Sequence, residues 1–580
     1  MAVSARAGGV QRDGIVECAP PDVSELSFFG GIMEIKSVAK FIKSVSKWNR
    51  RRLDRRHNQK VLLEPVNIPN DGKFVVLTTR HCLHVAYLIK DALERIGRTV
   101  SVITDEPANG FSKSFHFVIC PQMFPKLPGQ YVAFQMEQSV HHRWFTPQYF
   151  DILKKATAVL DYSVRNISFL EENGFSYNKI YYVPIDVRNR KSFGVCCDEK
   201  KYDVLFYGDA SNERRKRFLG ELSKEFDVKV VTNLFGEELH RELLSAKVVV
   251  NVHYYENALL ETTRIYECLS LGVSVVSEES SNMGEYPHLL GRIHFTPIDN
   301  VVAMTAKVRQ VLNGEVSTEY GINSANSVVG GNLFDYYFYR FLLAHDLMSF
   351  AEFVDQTEHQ INLNFDVLCL GLPESIKRKE SFDRDNSMGF GYFPGIRHGL
   401  GWVGCGLSYK YLANISKKRG LSTLAICEDD VFLKSGWMER FKNVRSYLNH
   451  RAQGWDLFCG LLTDFHAETS IRRIDCFLNE NFIEVDKMTG MVFNIYGVRA
   501  FDKLMQWDEN DRIVQSNTID RYIESCGDLS IVTVFPFLVG HKDDLNSTLW
   551  GNAQNSHYNE MISRSERDLM SEMEKMKSEI

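Results

Sequence analysis

Three features that would place this 580-residue chain in a special class are missing from it. No stretch of about eighteen consecutive apolar residues occurs, so no helix is expected to span a membrane. The formal net charge of -6 gives no global electrostatic reason to bind nucleic acid, and no nucleic-acid partner is expected. The 12 cysteines are scattered without a Cys-x-x-Cys pair, which favours reduced thiols and a cytoplasmic location over a disulfide framework.

The N-terminal segment divides into a tail and a basic stretch. Residues 1–33 lack hydrophobic periodicity and the charged-then-apolar layout of a signal peptide, which predicts a disordered tail. Residues 34–60 combine apolar residues at helical spacing with ten Lys and Arg against two acids, which predicts a basic amphipathic helix. One interpretation is peripheral contact with the anionic inner face of a membrane, and the other is packing on the next domain.

Residues 61–195 alternate strand and helix signals, which is typical of a parallel sheet covered by helices. The strand ending at Gln135 is followed by Glu137, His141 and His142. Glu137 is therefore a candidate catalytic residue at an acceptor site, and the two histidines are candidates beside it. The alternative is that these polar residues only cap helices.

Residues 196–350 repeat the alternation, with a strand that ends at Gly208 and a cationic helix start that includes Arg214. A glycine turn before such a helix is suited to holding a diphosphate. Further on, residues 261–272 predict a helix that ends at a glycine, and a Val-rich strand follows.

This helix and strand resemble the donor half of GT-B glycosyltransferases of the family 4 and CgeB-like kind. The resemblance places Glu267 beside the ribose hydroxyls of a nucleotide, and Arg264 beside Glu267 or a phosphate. The second Glu of the retaining members falls here on Leu259, so Glu261 or Glu256 is the candidate to replace it. An ordinary amphipathic helix with an Arg–Glu surface pair is the alternative.

The third region, 362–555, contains an apolar strand that ends in Glu428, Asp429 and Asp430. Ligands of open α/β sheets bind at the carboxyl ends of strands, and carboxylates there suit Mn²⁺ or Mg²⁺. Such a metal would bridge the protein to the diphosphate of a nucleotide-sugar. The alternative is a solvated acidic turn.

Four segments in order resemble glycosyltransferase family 25, the lipopolysaccharide galactosyltransferase-like group. They are Gly404–Tyr409, Cys427–Asp430, Thr489–Tyr496 and Asn517–Asp520. The resemblance implies an inverting, metal-dependent transferase in which Asp520 is a candidate base, and the alternative is that Asp520 caps the helix that includes residues 522–524. It also implies nucleotide contacts from Ser408 and from Arg378 or Lys379. His541, which follows a predicted strand and Pro536, is a candidate for a further metal or phosphate ligand or, alternatively, a surface-loop histidine. Tyr409 departs from the family, which has His there.

The spacing of apolar residues at 557–580 predicts a short helix with an apolar stripe. This stripe either forms a weak homodimer or packs on the rest of the chain. The predicted fold class is α/β, with a GT-B-like pair of Rossmann-like domains followed by a GT-A-like α/β domain. The predicted function is a bifunctional glycosyltransferase that moves sugars from nucleotide-sugar donors to a cell-surface glycan or lipid-linked acceptor. The alternatives are one active half beside an acceptor-binding module, or a non-catalytic membrane-associated scaffold.

Overall fold

Three β-sheets follow one another along the chain in the computed structural model. The structure describes residues 72–141, 143–195, 199–316, 327–451, 454–549, 553–554 and 557–578. The predicted tail at 1–33 and the predicted basic helix at 34–60 lie outside these residues, as does His142.

The first sheet has six parallel strands in the order β2-β1-β3-β4-β5-β6. Its strands are nearly continuous apolar runs because helices cover both faces; all five residues of the strand FHFVI are buried. The strands are β1 (Lys73–Leu77), β2 (Thr99–Ile103), β3 (Phe115–Ile119), β4 (Val132–Gln135), β5 (Ala158–Asp161) and β6 (Ile180–Tyr182). The helices are Leu83–Arg95, Pro147–Lys155 and Val164–Glu172.

The second sheet has five parallel strands in the order β11-β10-β9-β7-β8. The strands are β7 (Tyr202–Tyr207), β8 (Val228–Val231), β9 (Ala246–Asn251), β10 (Ser274–Glu278) and β11 (His294–Thr296). Its helices are Glu213–Leu222, Gly236–Leu244, Thr262–Leu271 and Val301–Leu312. The expected α/β class with two parallel-sheet, Rossmann-like domains is confirmed.

Two helices, Leu333–Ala344 and Phe350–Thr357, connect the second sheet to the third. The first of them is apolar on nearly every face because it is buried between the first and third sheets. Its Phe338 packs on Phe117 of β3, and its Tyr336 donates a hydrogen bond to the carbonyl of Pro394, 2.9 Å away. This helix therefore joins the two sheets into one core.

The third sheet has eight strands in the order β13-β12-β14-β19-β16-β20-β18-β17. The strands are β12 (Leu368–Gly371), β13 (Gly391–Pro394), β14 (Thr423–Glu428), β16 (Leu457–Cys459), β17 (Ile471–Phe477), β18 (Glu480–Val485), β19 (Phe493–Gly497) and β20 (Ile531–Phe535). A small ribbon pairs β15 (Val431–Leu433) with β21 (Val539–His541), and a second pairs β22 (Asn546–Ser547) with β23 (Ala553–Gln554). Helices of this region are Ile376–Asp385, Gly401–Lys418, Trp437–His450, Val498–Gln506, Val514–Asn517 and Ile519–Cys526.

The apolar strand before the acidic triplet lies in the interior of a mixed sheet. β14 pairs parallel with β12 and antiparallel with β19. The four residues between Thr423 and Glu428 are buried, because both faces of the strand are covered.

The C-terminal helix His557–Ser578 packs on the body of the chain. Leu569 and Met573 on its apolar stripe are buried, and the Ser565 hydroxyl donates to the carbonyl of Leu462 over 2.9 Å. A homodimer through this helix stays a prediction, and it would have to use other side chains. Across the described ranges, no helix combines the length and apolar character needed to cross a membrane.

Candidate functional site

A cleft of about 380 Å³ lies between the first two sheets. Each of these sheets reverses its strand order at one point, between β1 and β3 in the first and between β7 and β9 in the second. Crevices at such switch points, beyond the carboxyl ends of the strands, are where doubly wound sheets bind ligands. The loops after all four of these strands line the cleft, so the two switch points face one another.

A network of arginines and one carboxylate forms the wall that the second sheet contributes. Glu261 accepts from the guanidinium of Arg215 at 2.9 Å and also from that of Arg264. Burial opposes ionisation of Glu261, but the two arginines outweigh it and lower its pKa. The partners of the Arg264 guanidinium are therefore Glu261 and Asn251. Glu267, the partner that the resemblance suggested, is bonded to other residues.

Gly208 lies directly against Arg264. Its φ of +120° suits glycine, and a Cβ there would come within 2.8 Å of Nη2 of Arg264. The glycine after β7 thus leaves the space that the arginine needs to reach the cleft.

Glu267 lines the cleft from the helix Thr262–Leu271 and is 8% exposed. Its Oε1 lies 3.0 Å from Nε2 of His240, and its Oε2 accepts from the Tyr207 hydroxyl at 3.1 Å. The carboxylate is fixed in place by these two partners at the edge of the cleft.

Arg214 is not among the residues that line the cleft. Its guanidinium pairs with the buried Glu278 and with the backbone carbonyl of His253. The neighbouring Arg215 faces the cleft instead, because consecutive residues of a helix point in different directions. The backbone N–H groups of both arginines are bonded to the side chain of Asn212, which caps the helix.

Glu137 lines the opposite wall, after β4 of the first sheet. Burial raises the pKa of this carboxyl group to about 7, and Gln122 donates to it over 2.6 Å. A carboxylate with such a pKa is suited to accept a proton near neutral pH. Close by, the ring of His141 stacks on Tyr255 of the second domain with centroids 3.8 Å apart.

His81, Cys82 and Cys120 also line the cleft, and the sequence analysis did not select them. The signal available in the sequence is their position shortly after two apolar strands, which Glu137 shares. Cysteine spacing along the chain cannot reveal this group, because adjacent strands bring its members together from distant positions.

The acidic triplet of the third sheet has a protein counter-charge. The Nε of Arg378 donates to Oδ1 of Asp429 over 2.8 Å, and Nη2 lies 2.9 Å from Oδ2 of Asp430. Nε2 of His541 lies 3.2 Å from the same Oδ2, because the ribbon of β15 and β21 pairs Val431 with His541. Burial opposes ionisation of Asp430, but Arg378 and His541 outweigh it and lower its pKa.

Glu428 lies beside this group in a different electrostatic environment. Burial and the charges of Asp430, Asp429 and Asp520 together raise its pKa to about 8, against the opposing effect of Arg378. Asp520, in the first turn of the helix Ile519–Cys526, is thus close enough to Glu428 to affect its pKa.

The ligand atoms of the triplet do not converge on one point. Within the described part of the chain, one group of three or more His, Cys, Asp or Glu has its ligand atoms within 4.8 Å of one another, and it is His81, Cys82 and Cys120. As arranged, Asp429 and Asp430 are paired with Arg378, so a Mn²⁺ or Mg²⁺ ion at this position would have to displace the guanidinium group.

Ser408 and Tyr409 are held inside the third domain. The Ser408 hydroxyl donates to the carbonyl of Gly404 and accepts from the backbone N–H of Ile396, both at 2.8 Å. The Tyr409 hydroxyl donates to the carbonyl of Met491. Their helix is closely packed, since a Cβ on Gly406 would collide with the ring of Trp507. Both side chains therefore serve internal packing.

No protein-family model matches the chain, and no curated protein matches it. Among solved structures, a sucrose-phosphate synthase from Thermosynechococcus elongatus matches with 13% identity and a TM-score of 0.29, over 42% of this chain and 90% of that chain. The lipopolysaccharide outer core galactosyltransferase WaaB in its apo form matches with 10% identity and a TM-score of 0.25, over 43% and 92%. HepE from Anabaena in complex with UDP and glucose matches with 11% identity and a TM-score of 0.31, over 44% and 94%. The function below is therefore inferred from the cleft itself.

Proposed function

We propose that the cleft between the first two sheets is the active site of a glycosyltransferase that uses a nucleotide-sugar donor. The observation that carries the proposal is the meeting of two switch points in one cleft, with cationic groups on one wall and a titratable carboxyl group on the other. A donor of this class has an anionic diphosphate, which would bind to the cationic wall. Its polar sugar would then lie beside the wall that carries the carboxyl group.

The second domain is assigned to the donor. Arg264 and Arg215 supply positive charge beside Gly208 in the wall of the cleft, where a diphosphate could pair with the two guanidinium groups. Glu267 is oriented by His240 and Tyr207 and retains acceptor capacity for the ribose hydroxyls of the nucleotide.

The first domain is assigned to the acceptor, a glycan or a lipid-linked glycan. Glu137 is proposed as the group that takes the proton from the attacking hydroxyl, because its pKa of about 7 matches that task. Peripheral contact with an anionic membrane belongs to the same proposal, since it would bring a lipid-linked acceptor to the cleft.

A second, metal-dependent transfer at the third sheet is a separate proposal. It is supported by the influence of Asp430 and Asp520 on Glu428, the last residue of β14, and by the position of Asp429 against Gly371 at the end of β12. The predicted Mn²⁺ or Mg²⁺ would compete with Arg378 for Asp429 and Asp430. An inactive third domain that only holds the acceptor is the alternative.

The test is release of nucleoside diphosphate and transfer by the full chain, with a panel of nucleotide-sugars and with or without Mn²⁺. Glu267→Gln and Asp430→Asn are compared with the exposed controls Glu213→Gln and Asp366→Asn, whose side chains are 87% and 83% exposed. Glu267→Gln is expected to abolish turnover at the cleft, and the controls are expected to retain it.

The outcomes separate the alternatives. A distinct product lost with Asp430→Asn supports two active sites, and unchanged products support one. No donor turnover in the unmutated protein with any donor would contradict the proposal and favour the scaffold.

A further inference from the structure

Two thiol sulfur atoms and one imidazole nitrogen lie close together in the wall of the cleft that the first sheet contributes. The Sγ atoms of Cys82 and Cys120 are 3.6 Å apart, and Sγ of Cys120 lies 4.0 Å from Nε2 of His81. All three ligand atoms lie within 4.8 Å of one another. The cluster is far from the acidic triplet in sequence and has a different donor chemistry.

The fold places these residues together at the switch point of the first sheet. His81 and Cys82 end the turn after β1, and Cys120 directly follows β3, which pairs parallel with β1. Cys120 also has a φ of +53°, a left-handed conformation that residues with a side chain rarely adopt. Such conformations persist where the surroundings hold them, and they concentrate at functional sites.

The distances match the geometry of a tetrahedral zinc centre. With Zn–S bonds of about 2.3 Å and a Zn–N bond of about 2.0 Å, tetrahedral angles separate two sulfur ligands by about 3.8 Å and a sulfur from a nitrogen by about 3.5 Å. The observed S–S distance of 3.6 Å and S–N distance of 4.0 Å lie within about 0.5 Å of these values. Thiolate and imidazole ligands favour zinc over the oxygen-seeking Mg²⁺ and Mn²⁺.

We infer that His81, Cys82 and Cys120 bind a Zn²⁺ ion whose fourth coordination position opens into the cleft. Two cysteines and one histidine form a three-ligand set of the kind that leaves room for a water or substrate oxygen. The open side follows from the position of the three residues in the cleft wall, where Glu137 also lies and where His81 is exposed. The inference stands whether or not the cleft transfers sugars.

The experiment measures metal binding by the full chain directly. Protein stripped of metal under reducing conditions is titrated with Zn²⁺ against a chromogenic chelator, and separately with Co²⁺ as a spectroscopic probe. One equivalent of tight Zn²⁺ is expected, with a cobalt spectrum that shows thiolate charge transfer and tetrahedral coordination. His81→Gln, Cys82→Ser and Cys120→Ser are each expected to weaken the affinity by at least about 10- to 100-fold.

Cys476→Ser is the matched control, because Cys476 is exposed on the third sheet and should leave binding unchanged. His81→Gln keeps the test valid if a buried cysteine variant fails to fold, since His81 is exposed. Equal zinc affinity in the wild type and His81→Gln, or a cobalt spectrum without thiolate charge transfer, would overturn the inference. So would a Cys82–Cys120 disulfide in protein prepared with zinc and without reductant, which would assign the pair to redox chemistry.

Discussion

At the residue scale, Gly208 sets the position of the arginine that faces the proposed diphosphate. A methyl group at this position would collide with Nη2 of Arg264 and would also be strained at a φ of +120°. We therefore expect Gly208→Ala to displace Arg264 and to weaken binding of UDP, measured by calorimetry, by about 10-fold, equivalent to loss of about 1.4 kcal/mol.

Gly174→Ala controls for backbone strain, because Gly174 has a φ of +82° with no atom within 4 Å of an added Cβ. This variant should lose some thermal stability and bind UDP normally. If Gly208→Ala binds UDP as tightly as Gly174→Ala, the role given to Arg264 is wrong.

Asp186 is a buried carboxyl group at the junction of the first domain with the helix Leu333–Ala344. Burial raises its pKa from 3.8 to about 6, and its oxygens accept from the backbone N–H groups of Val187 and Leu333. A raised acid pKa means that the folded state holds the proton more tightly than the unfolded state does. The stability that this proton contributes is complete below about pH 4 and is lost as the pH rises through 6.

Asp186→Asn removes this titration. As the pH is raised from about 4 to 6, the wild type should therefore lose unfolding free energy relative to the variant, by an amount on the order of 3 kcal/mol. Its melting temperature should fall relative to that of the variant over the same range. Thermal melts of both proteins across this range provide the measurement. A difference in melting temperature between the two proteins that does not change with pH would contradict the raised pKa of Asp186.

At the scale of elements, Glu374 links three segments of the core. Its carboxylate is fully buried, receives both Nη groups of Arg340 at 3.2 and 3.0 Å, and accepts from the backbone N–H of Tyr182 on β6. Arg397 approaches it to 3.8 Å from the loop after β13. This cluster fixes the first sheet against the third.

Glu374→Gln should lower the unfolding free energy by about 3–5 kcal/mol, because it leaves Arg340 buried without its counter-charge. Asp383→Asn removes the exposed pair with Lys379 and should change stability by about 0.5 kcal/mol or less. Thermal and chemical unfolding measure both. Similar small effects in the two variants would show that the buried cluster does not hold the sheets together.

The C-terminal helix offers a test with adjacent residues. Leu569 is fully buried, whereas Met570 is 50% exposed. Leu569→Ala should destabilise docking of the helix by about 2–5 kcal/mol, and Met570→Ala should have little effect. Hydrogen exchange of residues 557–578 is the measurement, and equal exchange in both variants would contradict packing through the Leu569 side.

At the scale of the whole molecule, the first two domains already touch across the cleft. The side chain of Gln138 exchanges two hydrogen bonds with the backbone of Leu259, at 3.1 and 3.0 Å. A ligand in the cleft therefore contacts both domains at once.

Saturating UDP should raise the melting temperature of the full chain, with a stabilisation of about 2.7 kcal/mol at a hundred times the dissociation constant. Hydrogen exchange should slow on both sides of the cleft, around residues 80–83 and 254–264, and stay unchanged in β17 and β18. Protection confined to the third sheet would place the nucleotide site there instead.

Most strands of the first two sheets were predictable because their residues are apolar on both faces and are separated by helical segments. Three candidates from the sequence, Glu137, Glu267 and Arg264, line the cleft, the first from the loop after β4 and the other two from the helix Thr262–Leu271. Arg214 and Ser408 show the limit of this reasoning. Whether a polar side chain faces a cleft or a buried partner depends on neighbours that are distant in sequence.

The sequence alone determined the α/β class, the two runs of parallel strands and the absence of long apolar helices, because these follow from periodicity and composition within short windows. Only the tertiary structure decided that Arg378 pairs with Asp429 and Asp430 of the acidic triplet, and that His81, Cys82 and Cys120 share one wall of the cleft. These partners lie tens of residues apart, and the order and pairing of strands bring them together. Periodicity specifies a strand but does not specify its neighbours.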